Sequence, residues 1–288
     1  MTPSVAKGTV NHKITILEQK ILSFKKRADI PFEGLSDLSY DKKNHKLYMI
    51  GDRGYLYVFD ASFDKKIKKL KYSKAYHIKT KDGKVIHPDI EGLTHNAKNQ
   101  LIASFERKPQ ISLISNTGKI KSNFKLPKKL RDKSVYKNAN SIFEGVAYHK
   151  KYGILTVAEH PINHKNNRNQ TIYSLKGKEW HFKAEKYPNS AVTALEVMDD
   201  GNIILIERAY NGLSNPFYIT IKKVYLNKCN KKRECKSEVL ALFNSNEGWG
   251  YNNFEGLAKV GKDKFVMISD NNGRSFLPTA FTYFKVNK

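Results

Sequence analysis

Residues 254–271 read FEGLAKVGKDKFVMISDN, and the same pattern recurs along the chain. Each copy is a strand, a polar turn and a second strand. All five copies end with an acidic residue, and four of the five begin with Glu-Gly. Taking the residue in the leading Glu position, the copies begin at 33, 91, 144, 193 and 255. Repeats about 50 residues long are typical of propeller blades and too long for most short solenoid repeats.

The second strands of the copies are almost wholly apolar: LYMIG, LIASF, ILTVA, IILIE and FVMIS. Strands that are buried on both faces have this composition. One or two weaker, more polar strands follow each pair, which predicts four-stranded blades with the best-buried strands innermost. We therefore predict an all-β fold, a single β-propeller domain over residues 1–288.

The number of copies favours five blades. In that arrangement the N-terminal segment ITILEQKILSF (14–24) supplies the outer strand of the last blade and closes the ring. The alternative is six blades, with a degenerate blade in the long interval between 193 and 255. Residues 1–12 are expected to form a mobile tail.

The chain has 52 Lys and Arg against 27 Asp and Glu, a formal net charge of +25. This balance favours an anionic partner, either a small molecule or a surface. The basic residues are spread along predicted outer strands and loops, so we expect no specific nucleic-acid site. No apolar run is long enough for a transmembrane segment. We expect a monomer.

The two cysteines, Cys229 and Cys235, are six residues apart. They are either a disulfide formed in an oxidising compartment or two incidental thiols. Two cysteines do not make a four-ligand zinc site, and no second Cys/His pair has matching spacing.

A hairpin brings its two ends to the same edge of a blade, so the acids of all copies are expected to meet at one mouth of the ring. The leading acids are Glu33, Glu91, Glu144 and Glu255. The trailing acids are Asp52, Glu106, Glu159, Glu207 and Asp270. The residues beside them are Arg53, Arg107, His160, Arg208 and Asn271.

Clustered carboxylates suit a hard divalent cation such as Ca²⁺, and neighbouring arginines suit phosphate. The candidate metal ligands are Glu33, Asp52, Glu91, Glu106, Glu144, Glu207, Glu255 and Asp270. The candidate catalytic residues are Glu144, Glu159, Glu255 and Asp270. The candidate substrate-binding residues are Arg53, Arg107, His160, Arg208 and Asn271. The alternative is structural: the carboxylates join neighbouring blades by accepting hydrogen bonds.

Several motifs resemble the bacterial family named for the esterase-like activity of phytase. They are PDIEGL (88–93), FEGV (143–146), IER (206–208), NFEGLA (253–258) and ISDNN (268–272). The resemblance spans roughly residues 30–286, and the chain is less closely similar to the SdiA-regulated propeller family. The resemblance to the phytase family implies a phytase-like β-propeller that hydrolyses esters or phosphate esters. It also implies a periplasmic or secreted protein whose leader is absent from this chain.

Two functions are compatible with these features. The first is an extracytoplasmic hydrolase of phosphate esters or other anionic esters, assisted by a bound metal such as Ca²⁺. The aspartate-rich metal motifs of the calcium-dependent propeller phytases do not occur in this sequence, which argues against phytase activity itself. The alternative is a non-catalytic propeller module that docks an anionic surface or partner, which the lack of a recognisable nucleophile motif favours.

Overall fold

The structure, a computed structural model, describes residues 13–163, 168–212, 215–247, 253–273 and 277–287. The predicted tail, residues 1–12, lies outside the described residues. The described strands form five antiparallel sheets of four, arranged as blades around one axis. The predicted β-propeller is therefore confirmed. In the described part of the chain, no helix has the length and apolar character needed to cross a membrane.

The strands of each blade follow one another in the sequence, except for the first strand. Blade 5 contains β1 (Ile14–Leu22) together with three later strands. Blade 1 consists of β2 (Leu35–Asp41), β3 (Lys46–Gly51), β4 (Tyr55–Phe63) and β5 (Ile67–His77). Blade 2 consists of β6 (Ile90–His95), β7 (Leu101–Phe105), β8 (Gln110–Ile114) and β9 (Ile120–Asn123).

Blades 3 and 4 repeat this order, and short helical turns occur in two connections. Blade 3 consists of β10 (Gly145–His149), β11 (Gly153–Val157), β12 (Asn169–Ser174) and β13 (Glu179–Lys183). Blade 4 consists of β14 (Ser190–Val197), β15 (Ile203–Ala209), β16 (Tyr218–Cys229) and β17 (Cys235–Asn244). Blade 5 is completed by β18 (Asn253–Gly261), β19 (Lys264–Asp270) and β20 (Thr279–Val286). The helical pieces are α1 (Lys128–Arg131) and two 3-10 turns, Lys133–Val135 and Ser245–Glu247.

The N-terminal strand closes the ring. β1 pairs antiparallel with β20, from Ile14 opposite Val286 to Leu22 opposite Thr279, and so becomes the outer strand of blade 5. This confirms the predicted closure and the blade number of five. The long interval that suggested a sixth blade is filled by the extended hairpin of β16 and β17, in which Cys229 and Cys235 form a disulfide beside the turn.

The inner strands β2, β6, β10, β14 and β18 contact one another in ring order. Their approach is closest at the glycines of the Glu-Gly motifs. A Cβ atom on Gly92 would lie 2.6 Å from the backbone nitrogen of Val146, and one on Gly256 would lie 2.8 Å from Cα of Asp37. These glycines are required because the backbone of the next blade fills the space of a side chain.

Asp37 is the acid that joins three blades. Its side chain is buried, and its two oxygens accept the backbone N–H of Leu93 (2.7 Å) and of Leu257 (3.0 Å). Leu93 belongs to blade 2 and Leu257 to blade 5, while Asp37 itself is in blade 1. An acid outside the motif thus joins blades in the way that the structural alternative suggested for the motif acids, and the motif acid Glu106 does so as well, because its Oε1 accepts the backbone N–H of Ile142 at 3.0 Å.

The glycine contact can be tested with Gly92→Ala. We expect this substitution to lower the free energy of unfolding by about 2 kcal/mol, because the added methyl group meets fixed backbone. Chemical denaturation measures the change. The matched control is Gly261→Ala, whose Cβ would be 3.5 Å or more from its neighbours, and for which we expect a change under about 0.5 kcal/mol. Equal effects of the two variants would refute the packing argument.

Candidate functional site

A β-bulge marks the start of four inner strands. The register shifts between Ile90 and Gly92, between Val192 and Ala194, and between Phe254 and Gly256. The residue inside each bulge is unpaired, and bulges re-aim side chains. This places Glu91, Thr193 and Glu255 at equivalent positions, at the mouth end of the inner strands. Glu144 precedes β10 in the same way, because its N–H bonds the carbonyl of Val157.

The bulge also corrects the register of the first copy. In blade 1 it falls between Leu35 and Asp37, so Ser36 and Asp37 occupy the positions that Glu and Gly hold elsewhere. Glu33 lies three residues upstream, outside the acidic cluster. Its Oε1 accepts a hydrogen bond of 2.7 Å from Nη1 of Arg53, which forms an ion pair at the rim.

The fourth copy is shifted by one residue. In blade 4, Glu207 pairs with Val192, just as Phe105 pairs with Ile90 in blade 2, so Glu207 and Phe105 occupy equivalent positions. Arg208 therefore occupies the position that Glu106 holds in blade 2. A shift of one residue turns a strand side chain to the other face of the sheet. Glu207 is consequently buried away from the mouth, where its Oε1 contacts Nζ of Lys222 at 2.7 Å. The proposed metal-ligand role of Glu207 does not fit this position.

The other seven acids predicted from the sequence interact at the mouth. Each of them has another member of the set as an electrostatic neighbour. The carboxyls are those of Asp52, Glu91, Glu106, Glu144, Glu159, Glu255 and Asp270. We call this set, together with Asp89, the mouth cluster. Carboxyls from successive repeats are therefore electrostatic neighbours of one another.

Arg208 is the cation inside this cluster. Its Nη1 lies 2.5 Å from Oε1 of Glu255 and its Nη2 lies 3.2 Å from Oε1 of Glu159. Nη1 also donates to Oδ1 of Asn253 at 2.8 Å. The guanidinium therefore bridges blades 3, 4 and 5, and both acids that it contacts are held in fixed orientations.

Three carboxylates approach one another closely on the blade 2 side. One oxygen each from Asp89, Glu91 and Glu106 lies within 4.8 Å of the other two. Asp89 also accepts a 2.9 Å hydrogen bond from Nε of Arg107. We call Asp89, Glu91 and Glu106 the acidic triad. It adjoins a cavity of about 240 Å³ that Asp89 and Glu106 help to line.

Burial is the main cause of the raised pKa values of three mouth carboxyls, those of Glu91, Glu144 and Asp52. It raises the pKa of Glu91 and of Glu144 well above the ordinary value, and neighbouring carboxylates raise both further. Glu144 also donates a hydrogen bond to Glu106. Burial likewise raises the pKa of Asp52, whose buried Oδ1 has no hydrogen-bond partner in the described structure.

Three further carboxyls titrate near neutrality. Burial raises the pKa of Glu106 to about 7, of Glu255 to about 8 and of Asp270 to about 6. Arg208 opposes the shift at Glu255, while Asp270 adds to it. Such groups can donate or accept a proton at physiological pH.

The remaining predicted residues lie at the rim. His160 Nε2 is 3.5 Å from Oε2 of Glu159, and burial lowers the pKa of this imidazole. Asn271 Oδ1 accepts the backbone N–H of Gly34 at 3.0 Å, which ties blade 5 to blade 1. Arg107 is mostly exposed and has a positive φ of 54°, a strained backbone of the kind that often occurs at functional sites.

Asp89 was not among the residues singled out from the sequence. It stands two residues before Glu91, and Asn253 stands two residues before Glu255. Side chains two apart on a strand point to the same side. This spacing is the signal that would have added both residues to the predicted mouth.

The acidic triad fits a hard divalent cation. All three ligands are carboxylates, which Ca²⁺ and Mg²⁺ prefer. The like charges around Glu91 and the unpartnered Oδ1 of Asp52 both indicate a shortage of positive charge. Asp89, Glu91 and Glu106 are therefore the residues best placed to hold such an ion.

Fold and site together define a five-bladed β-propeller with a carboxylate-lined mouth on its axis. The chain belongs to the Phytase-like family, described as esterase-like activity of phytase, whose sequence model matches residues 30–273. The resemblance indicated by the motifs is thus confirmed. No curated protein sequence matches the chain significantly.

Three solved structures are remotely similar to the chain. The Myceliophteria thermophila Cps50 (Swd1) β-propeller domain is 9% identical with a TM-score of 0.41, and the match covers 88% of this chain and 84% of that one. A luciferin-regenerating enzyme is 11% identical with a TM-score of 0.45, covering 89% and 92%. Virginiamycin B lyase from Staphylococcus aureus is 10% identical with a TM-score of 0.39, covering 96% and 100%. At these TM-scores, none of the three supports a conclusion about this chain.

The raised pKa of Glu106 leads to a testable pH dependence. The neutral carboxyl of Glu106 stabilises the folded protein below the pKa of a Glu in the unfolded chain. This stabilisation is lost as the pH rises through about 7. Glu106→Gln keeps a neutral side chain at every pH. The quantity to measure is the Tm offset, which is the Tm of the variant minus that of the unchanged protein. In a chelating buffer, we therefore expect this offset to rise by roughly 2–4 °C between pH about 5 and about 8.5.

Glu238→Gln is the matched control for this measurement. A hydrogen bond from Lys13 lowers the pKa of Glu238, so this carboxylate stays ionised throughout the range. Its Tm offset should not change with pH. A constant offset for Glu106→Gln as well would show that Glu106 is not protonated in the folded protein.

Proposed function

We propose that this protein hydrolyses phosphate esters or other anionic esters at the mouth of the propeller. The observation that carries the proposal is the acidic triad, which adjoins a cavity of about 240 Å³ lined partly by Arg107 and Lys108. Acids that bind a metal and cations that bind an anionic group are thus side by side. Family membership supports the class of reaction.

A divalent cation such as Ca²⁺ is proposed to bind Asp89, Glu91 and Glu106. When bound, it would polarise the ester and activate water. The triad is accessible from the neighbouring cavity through Asp89 and Glu106, so an ester bound in that cavity would lie beside it.

The cavity is suited to both parts of an organic phosphate ester. Its cationic wall, Arg107 and Lys108, would hold the phosphate. Its apolar wall is formed by the side chains of Ile86, Pro88, Phe105 and Ile120. We propose that this wall binds the organic group of the ester, because apolar surface in a cavity binds apolar substrate groups.

Glu255 is the proposed general acid. With a pKa of about 8, it holds a proton at neutral pH that can be given to the leaving oxygen. Arg208 would position Glu255 and Glu159 through its hydrogen bonds to both. Glu144 and Asp270 remain proposed catalytic partners, because they share this buried cluster.

We also propose that the protein acts outside the cytoplasm. The disulfide between Cys229 and Cys235 supports this location, because disulfides persist in oxidising compartments.

The acidic triad can be tested by turnover. We expect Ca²⁺-dependent hydrolysis of a phosphomonoester such as p-nitrophenyl phosphate, and a decrease in kcat/KM of roughly 100-fold or more in Glu91→Gln and Glu106→Gln, because each removes a metal ligand. The measurement is initial rates with added Ca²⁺ and with chelator. Calorimetric titration of Ca²⁺ into each protein shows whether lost activity follows lost binding.

Glu179→Gln is the control and should leave the rate unchanged. Glu179 lies on the outer strand of blade 3 and forms an ion pair with Lys129 of α1. Turnover that survives both triad substitutions, or that ignores the metal, would rule out the proposed site. Ca²⁺ binding without turnover on any phosphate or carboxyl ester would favour the non-catalytic module instead.

The proposed contact between Arg107 and the phosphate group can be tested by comparing an anionic with a neutral substrate. We expect Arg107→Ala to raise KM for p-nitrophenyl phosphate about tenfold with little change in kcat, because it removes a contact with the charged group of the substrate. Hydrolysis of p-nitrophenyl acetate, if present, should be unaffected. Arg131→Ala, an exposed arginine of α1, is the control, and an equal effect on both esters would argue against phosphate contact.

A further inference from the structure

The face opposite the mouth is strongly basic. Propeller topology places the turns β2–β3 and β4–β5 of blade 1, and their equivalents in the other blades, on that face. The nine such turns are all within the described residues, and they carry fourteen Lys or Arg against five Asp or Glu. The acidic mouth and this basic face are therefore at opposite ends of the axis.

A cavity of about 440 Å³ opens on the basic face. Its lining includes Lys42 from the β2–β3 turn, Asp199 from the β14–β15 turn, and Lys259 and Lys262 from the end of β18 and the turn after it. Tyr40 forms part of the wall. The inner hairpins of blades 1 and 5 thus bring three lysines to one recess, and the inner hairpin of blade 4 adds Asp199.

Two acids near this recess, Asp199 and Glu196, already have partners. Asp199 Oδ1 contacts Nζ of Lys259 at 3.0 Å, and its Oδ2 accepts the backbone N–H of Asp263 at 3.0 Å. Glu196 accepts the backbone N–H of Lys259 at 3.2 Å and of Val197 at 2.6 Å. Among the described residues, Lys42 and Lys262 have no carboxylate within ion-pair distance. The ammonium groups of these two lysines are therefore not held in direct ion pairs, although the charge of Lys262 acts on Asp199 from a longer distance.

We propose that this recess is an anion-binding site for a small, flexible polyphosphorylated molecule. One phosphate enters between Lys42, Lys259 and Lys262, and further phosphates contact lysines of the surrounding turns. Lysine is well suited to phosphate as a compact point charge. A recessed site among hairpin turns admits a narrow chain and excludes the flat surface of a bilayer. The site is independent of the hydrolysis proposed at the mouth.

Tripolyphosphate is the probe. Isothermal titration calorimetry of the full chain carrying Arg107→Ala, which removes the phosphate contact proposed at the mouth, should give one site per molecule at low ionic strength, weakened by added salt. We expect Lys42→Ala/Lys262→Ala to weaken binding at least about tenfold, because both unpaired ammonium groups are removed. Lys176→Ala/Lys178→Ala removes the same charge from a turn of the same face outside the recess and should change the dissociation constant less than about twofold. Glu106→Gln at the mouth should not change it.

Four results would overturn the proposal. The two double variants could weaken binding equally, which would show diffuse attraction to the whole face. Several equivalent sites per molecule would show the same. Tighter binding to anionic lipid vesicles or to a DNA oligonucleotide than to tripolyphosphate would assign the face to another partner.

Because Lys42 and Lys262 are exposed, the Lys42→Ala/Lys262→Ala variant should keep its Tm. Lys262→Glu gives a second test, which is also expected to weaken binding.

Discussion

The rest of the structure depends on the close approach of five inner strands at the axis. At Gly92, Gly145 and Gly256, the neighbouring blade occupies the space that a Cβ would need. In each motif the residue before the glycine is Glu, and the bulge or turn there directs that side chain to the mouth. The packing that closes the ring thus brings carboxyls from different blades together, and their proximity follows from backbone geometry.

This arrangement is electrostatically unfavourable without ligands. Within the cluster, Arg208 contacts two acids directly, while other buried carboxyls are near one another and keep raised pKa values. Like charges in a poorly solvated region are stabilised by protons or by a cation. The burial of apolar residues between blades, for example Phe281 and Tyr283 against Leu38 and Met49, offsets this penalty in the folded state.

The fold was predictable because it depends on coarse periodicity. Apolar second strands at intervals of about 50 residues predict five blades, and a leftover N-terminal strand predicts ring closure. The site was predictable only in part. The sequence shows Glu33-Gly34 and Glu207, but the bulge in blade 1 and the pairing of β15 move both out of the cluster. An apolar pattern does not locate a bulge, and one residue of register decides which face a side chain joins.

Acids whose two oxygens both accept backbone N–H groups differ from the acids of the mouth cluster. Asp37 and Glu196 each accept backbone N–H groups through both oxygens, and two of those groups belong to β18 of blade 5. Glu207 is neutralised by Lys222. In the mouth cluster, by contrast, Asp52 keeps a buried oxygen without a partner, and the three acids of the triad have oxygens that converge. A purely structural role would be filled at lower electrostatic cost by amide side chains, which carry no charge. The converging oxygens of Glu91 and Glu106 are compensated by protons, because burial raises the pKa of both carboxyls, and a bound cation would take the place of those protons.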